Sequence, residues 1–183
     1  KITIDSATMM NKVFEIIEAK KIFDLNYKQL EILTHPKSYL HAIVKFNNGL
    51  SKLLVHDTNM TIPIFNSIYF KTDKKLKSKN IDIETLNNLS LKKIDNMRFP
   101  LVKILNNLSN EDSLFETIIV TANDKLVELF LNNKIKFTDI SNMLMKICDI
   151  AEFNKFKSIK PSNIKEIHNL SDYVSLKIDT MSV

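Results

Sequence analysis

Lys1-Ile-Thr-Ile-Asp-Ser-Ala-Thr-Met-Met-Asn-Lys-Val-Phe-Glu15 decides how the rest of the chain is read. Ile2 and Ile4 alternate with Thr3, which suits a strand. Ser6 and Thr8 are both residues that cap helix starts, so the spacing predicts a helix beginning at one of them. From there the apolar residues Met9, Met10, Val13, Phe14 and Ile17 follow helical spacing. Asn11 and Glu15 lie four apart and Lys12 and Glu15 three apart, so all three share one helix face. Free N–H groups and a positive dipole end at a helix start suit an anion. Ser6, Asn11 and Lys12 add a hydroxyl, an amide and an ammonium near that point, and Glu15 adds a hard oxygen donor of the kind Mg²⁺ or Mn²⁺ accepts. By spacing alone, a lysine and a glutamate three apart are more often a solvated surface pair than a binding site.

Outward from this stretch, 183 residues with 44% hydrophobic content are enough for one domain with a real core, or two small ones. The chain has one Gly, so turns fall to Asn and Asp at positive φ, as at Asn47-Asn48-Gly49 and Asn132-Asn133. The net charge of +5 and a pI near 9.1 raise the question of nucleic acid. Yet the densest basic run, Lys71 to Lys79, has no interleaved aromatic residues and reads as a solvated linker, so no nucleic-acid partner is expected. Cys148 is the only cysteine, which excludes an internal disulfide and a cysteine zinc site, and fits a reducing compartment. No apolar run reaches the roughly 18 residues of a membrane span. The chain opens without Met inside the expected strand, and therefore reads as a fragment.

The first helix is expected to end near Phe23. Residues Gln29–Thr34 read as a strand stopped by His35-Pro36, because proline cannot donate to a ladder. Leu40–Phe46 and Leu50–His56 read as a hairpin around Asn47-Asn48-Gly49, followed by a helix from about Thr61 with Pro63 in its first turn. Residues 71–97 are charged and Asn-rich, a linker with at most short ordered pieces. Helices are expected over Phe99–Leu108, Leu114–Leu131, from Thr138 to about Phe153, and from Asn163 to about Met181. The expected fold is α+β: a small mixed sheet with flanking helices in residues 1–72, a linker over 73–97, and a C-terminal four-helix bundle over 98–183.

Several of these stretches resemble one family. The run Lys1–Ala19 resembles the substrate-site segment of the 1-deoxy-D-xylulose 5-phosphate reductoisomerases at nearly every position, with Val13-Phe14 where the family usually has Gly-Leu. His35-Pro-Lys-Ser-Tyr-Leu-His41 is similar to the family's His-Pro-Gln-Ser-x-x-His. Asp57-Thr-Asn-Met60-Thr-Ile-Pro-Ile64 is similar to its Pro-Asp-Met-x-x-Pro-Ile, with Thr58 in place of Pro. Arg98-Phe-Pro-Leu-Val-Lys103 and Phe130–Ile140 continue the likeness, while Val120-Thr-Ala-Asn-Asp124 departs from the family's Leu-Asn-Ala-Ala-Asn-Glu.

The resemblance implies an enzyme of isoprenoid biosynthesis that rearranges and reduces a sugar phosphate with NADPH and Mg²⁺ or Mn²⁺. It implies that Ser6, Asn11 and Lys12 hold the substrate phosphate and that Glu15 binds the metal, with Lys12 and Glu15 as catalytic residues. His41 is implied beside the substrate and Met60 beside the nicotinamide. On pattern alone His41 reads as a hydrogen-bonded sheet histidine and Met60 as core filler. The resemblance further implies a homodimer in the bacterial cytoplasm or a plastid-type organelle. With one Gly there is no Gly-x-Gly-x-x-Gly turn for NADPH, and one carboxylate does not hold a divalent ion tightly. The chain alone is therefore expected to be inactive, both cofactors needing a further N-terminal part. A rival expectation is a non-catalytic interaction or scaffold fragment that keeps the fold.

Overall fold

The computed structural model describes residues 1–71 and 73–181. The opening segment is helix α1 (Ile2–Ala7), not the expected strand. The N–H groups of Ile4 and Asp5 donate to the Lys1 carbonyl at 2.9 and 3.0 Å. A strand needs a neighbour, and among the described residues neither antiparallel ladder includes residues 1–8. Burial does not follow the Ile2/Ile4 alternation either: Ile2 is exposed, whereas Asp5 is buried. Met9 then turns the chain with φ 63°, and α2 (Met10–Phe23) begins. Neither Ser6 nor Thr8 is the expected cap: Met9 holds that position without a side-chain bond, and Thr8, just outside, accepts the Met10 N–H with Oγ1 at 3.4 Å. Helix α2 buries Met10, Val13, Ile17 and Lys20, one stripe at helical spacing.

Two compact units follow, and their boundaries are not those expected at 72–73 and 97–98. Residues 1–32 group with 95–183, and residues 33–94 form the other unit. The expected boundary residue Thr72 and the last two bundle residues lie outside the described residues.

In the discontinuous unit, α5 (Leu114–Leu131) has the bounds its periodicity predicts and stands at the centre. It packs against α6 (Phe137–Cys148) and α7 (Ile164–Met181). Ile118, Ile119 and Leu126 of α5, Ile140 and Leu144 of α6 and Val174 of α7 are all buried. Two expected α-helical stretches are 3-10 helices instead, over Pro100–Asn107 and Ala151–Ser158. The latter takes up the segment in which the third bundle helix was expected to continue, since α6 ends at Cys148. Residues 1–32 join this unit because their apolar stripe needs cover and their charges find partners in it. Lys21 Nζ pairs with Glu116 at 2.6 Å and Asp112 at 3.0 Å, and the Tyr27 hydroxyl donates to Glu116 Oε1 at 3.1 Å. Burial pushes the Lys21 ammonium down, but the hydrogen bonds and charges of Glu116 and Asp112 together outweigh it and raise it. The Lys21 hydrogen bond holds the Asp112 carboxyl below its usual range, against a smaller opposing effect of burial.

The second unit holds the sheet structure. Strand β1 (Leu33–Thr34) pairs antiparallel with β4 (Lys92–Lys93), so the expected strand over 29–34 is shortened. Its first residue ends a 3-10 helix over Tyr27–Gln29, whose start is fixed by the Asn26 N–H donating to Gln29 Oε1 at 2.8 Å, and residues 30–32 are neither helix nor strand. Strands β2 (Leu40–Lys45) and β3 (Ser51–Val55) form the expected hairpin, with Gly49 at φ 87° in its turn. The α+β class stands, but the sheet is two separate antiparallel ladders and not one mixed sheet. Helix α3 (Thr61–Ile68) follows as predicted. Within the expected linker, Asp82 caps the short α4 (Ile83–Asn87) by accepting the Thr85 N–H at 2.6 Å. No described residue of 33–94 is buried.

Candidate functional site

The α1–α2 corner brings three of the predicted residues together. Asn11 Nδ2 donates to Glu15 Oε1 at 2.7 Å. Lys12 Nζ donates to both Glu15 oxygens, at 2.9 and 2.7 Å. The first turn of α2 puts Asn11 and Lys12 on the face that Glu15 continues one turn deeper. The Lys12 and Glu15 side chains are about half exposed, at 47% and 48%, so they remain reachable from solvent. Ser6 is exposed on α1, and no hydrogen bond joins its hydroxyl to the other three among the described residues. A carboxylate flanked by an ammonium and an amide is a charge-balanced cluster. An anion recruits its donors, and a cation recruits its acceptor.

In the other unit, His41 sits at the irregularity in register between Leu40 and Ala42, and its ring stacks on that of His56. The ring centroids are 3.6 Å apart and the planes 8° from parallel. The His56 Nδ1–H donates to the Asp57 carbonyl at 2.6 Å. No motif marks His56; the register pairs Leu40 with Val55, so His56 falls opposite Tyr39, to whose carbonyl its N–H donates at 3.1 Å, and its ring meets His41 diagonally across the hairpin. His35 is structural, its Nε2 accepting the Leu40 N–H at 3.1 Å. Met60 is the residue before α3 and is 63% exposed, so in this chain it is not core filler.

Neither cofactor finds a complete site in these residues. Among the described residues no group of three His, Cys, Asp or Glu side chains converges to hold a metal ion. Glu15 offers one carboxylate where a hard divalent cation takes about six oxygens. The single glycine lies in a hairpin turn, not between a strand and a helix start where a pyrophosphate would be cradled. A cleft of about 350 Å³ does exist beside α5 and α7, walled by Leu114, Phe156, Leu170 and Tyr173, and none of the predicted site residues lines it. No helix among the described residues is long and apolar enough to cross a membrane.

The class of protein to which this fold and corner belong, the carboxy-terminal region of a sugar-phosphate reductoisomerase, is given by family comparison. Residues 56–175 match the family model described as the DXP reductoisomerase C-terminal domain, and residues 1–23 match that of the 1-deoxy-D-xylulose 5-phosphate reductoisomerase C-terminal domain. The chain belongs to the 1-deoxy-D-xylulose 5-phosphate reductoisomerase family. It is 87% identical over all 183 residues to the reductoisomerase of Pelagibacter ubique, covering 47% of that protein. To the enzyme of a Sulfurihydrogenibium species it is 33% identical over 159 residues, 87% of this chain and 42% of the relative. The chain thus spans about half the length of the curated relatives it matches. Among solved structures, the Zymomonas mobilis reductoisomerase in complex with NADPH superposes with a TM-score of 0.82 at 25% identity, over 99% of this chain and 47% of that one. A reductoisomerase in complex with NADPH, fosmidomycin and magnesium gives 0.84 at 29% identity, over 99% and 45%.

Proposed function

We propose that this chain supplies the phosphate-binding corner of an enzyme that converts 1-deoxy-D-xylulose 5-phosphate to 2-C-methyl-D-erythritol 4-phosphate with NADPH, a step of isoprenoid biosynthesis. The observation that carries this reading is the Asn11–Lys12–Glu15 cluster at the start of α2, inside a segment that the family model matches. Ser6, Asn11 and Lys12 bind the phosphate, and Lys12 neutralises its charge. Glu15 gives one oxygen to a divalent cation, Mg²⁺ or Mn²⁺, whose remaining ligands the described residues do not bring together. His41 lies along the substrate and Met60 along the nicotinamide. The compartment is the cytoplasm or a plastid-type organelle.

Lys12→Ala in the full-length protein carrying this sequence tests the reading. Loss of a charge-assisted bond to phosphate should raise KM for the sugar phosphate by roughly ten- to a hundredfold, with KM for NADPH little changed. Glu15→Gln should instead give a defect that depends on metal concentration. An unchanged KM for the sugar phosphate in Lys12→Ala would reduce Lys12 to a surface lysine. Residues 1–183 alone should oxidise no NADPH.

The same reading gives the exposed hairpin a purpose. Val44, Leu53 and Leu54 are between 49% and 57% exposed, and a second copy of the enzyme would cover them in a homodimer. Sedimentation of the full-length protein as a monomer at micromolar concentration would remove that assignment.

A further inference from the structure

One buried contact crosses from the centre of the bundle to the segment just ahead of the phosphate corner. Asn123, fully buried on α5, donates from Nδ2 to Asp5 Oδ1 on α1 at 2.8 Å, and Asp5 is 4% exposed. The orientation of the amide is fixed by charge: turned over, its carbonyl would face the carboxylate. Its own Oδ1 is left buried without a partner. A core shaped only for stability would put an apolar side chain there, because an unpaired buried acceptor costs free energy. What the amide gains is a directional hold on Asp5. Beside it the Lys1 ammonium pairs with Asp124 at 2.5 Å. From Asp5 the contact continues: the Thr8 hydroxyl donates to the Asp5 carbonyl at 3.3 Å and accepts the Met10 N–H at 3.4 Å. Ser6 follows Asp5 directly, and Asn11 and Lys12 follow Met10.

We propose that Asn123 is a positioning residue for the phosphate site: through Asp5 it sets the rotation of α1 and the α1–α2 corner that present Ser6, Asn11 and Lys12. The proposal deepens the reductoisomerase reading and rests on it.

In the full-length protein, Asn123→Asp sets two carboxylates against each other. It should raise KM for the sugar phosphate about tenfold or more and leave KM for NADPH within about twofold. The exchange Asp5→Asn with Asn123→Asp restores one donor facing one acceptor, and should return most of the lost affinity. A merely structural role would instead shift both Michaelis constants together or lower kcat alone. Asp5→Ala removes the acceptor from α1 and leaves the sequence of α5 intact, so it remains informative if the Asn123 variants do not fold. In residues 1–183 it should speed amide exchange across residues 2–12 at least about tenfold while α5 is unaffected. That exchange measurement needs no substrate, so an inactive full-length protein would refute the reductoisomerase reading while still deciding the clamp. The proposal fails if Asp5→Ala leaves exchange across residues 2–12 unchanged, or if folded Asn123→Asp leaves KM for the sugar phosphate unchanged.

Discussion

The two units differ in how their apolar residues are used. Every buried hydrophobic residue described belongs to residues 1–32 or 95–183. Residues 33–94 carry Val44, Phe46, Leu53, Leu54, Ile64 and Phe70 exposed. The helical unit closes on itself through a central helix wrapped by others. The hairpin unit satisfies its backbone through ladders and leaves its side chains open. A sheet of two strands is marginal alone. The lesson is that secondary structure and burial are separate achievements: residues 33–94 have the first without the second.

The contrast is sharpest in thiol chemistry. Cys148 is 1% exposed, and burial, aided by the Asp149 charge, pushes its thiol up from 9.0 to about 12. A shift of that size lowers the thiolate fraction near neutral pH about a thousandfold. Cys148 in the folded chain should therefore react with a disulfide reagent at least that much more slowly than a cysteine introduced by Leu54→Cys, and the two rates should converge in denaturant. Equal rates in the folded chain would erase the distinction between the units.

Next in size is truncation. Ile118 is fully buried, so Ile118→Ala should cost about 2–5 kcal/mol in denaturant unfolding. Leu54 is 57% exposed, and Leu54→Ala should cost under about 1 kcal/mol. A larger loss at Leu54 would mean that the hairpin is covered in solution, as a homodimer requires.

The smallest effect is electrostatic and lies within the helical unit. The Asp112 carboxyl is held below its ordinary 3.8, so its contribution is present above that value and is lost as pH falls through the folded value. Lys21 is raised above 10.5, so its contribution is complete below that and is lost as pH rises through its folded value. Asp112→Asn should therefore lower stability by at most about 1 kcal/mol near pH 7. As the pH falls through the carboxyl's folded value it should lower it by less, because the wild-type group then takes up its proton. A defect that grew toward acid would reverse the assignment.

What was legible in the sequence was local. Helix α5 follows its apolar periodicity to the residue, and Asn47-Asn48-Gly49 marks a hairpin because Gly49 is needed at φ 87°. The Asn11–Lys12–Glu15 grouping follows from helical spacing alone. What was not legible depends on partners distant in sequence. Ile2 and Ile4 alternate like a strand, but Asp5 is drawn inward by Asn123 and the segment coils as a helix. Lys21 and Tyr27 tie residues 1–32 to Glu116, far along the chain. The stacking of His56 on His41 depends on register, which no single residue type announces.

The split of the helical unit around residues 33–94 orders events during synthesis. Met10, Val13 and Ile17 leave the ribosome well before the 3-10 helix Pro100–Asn107 that packs against their helix. At 5–20 residues per second, translation of that interval takes on the order of ten seconds. Throughout that time the stripe on α2 lacks the cover that this 3-10 helix gives it, which is long enough for a chaperone to hold it. Each new polypeptide therefore carries a partly uncovered apolar helix until the ribosome has moved past Asn107, the end of that 3-10 helix.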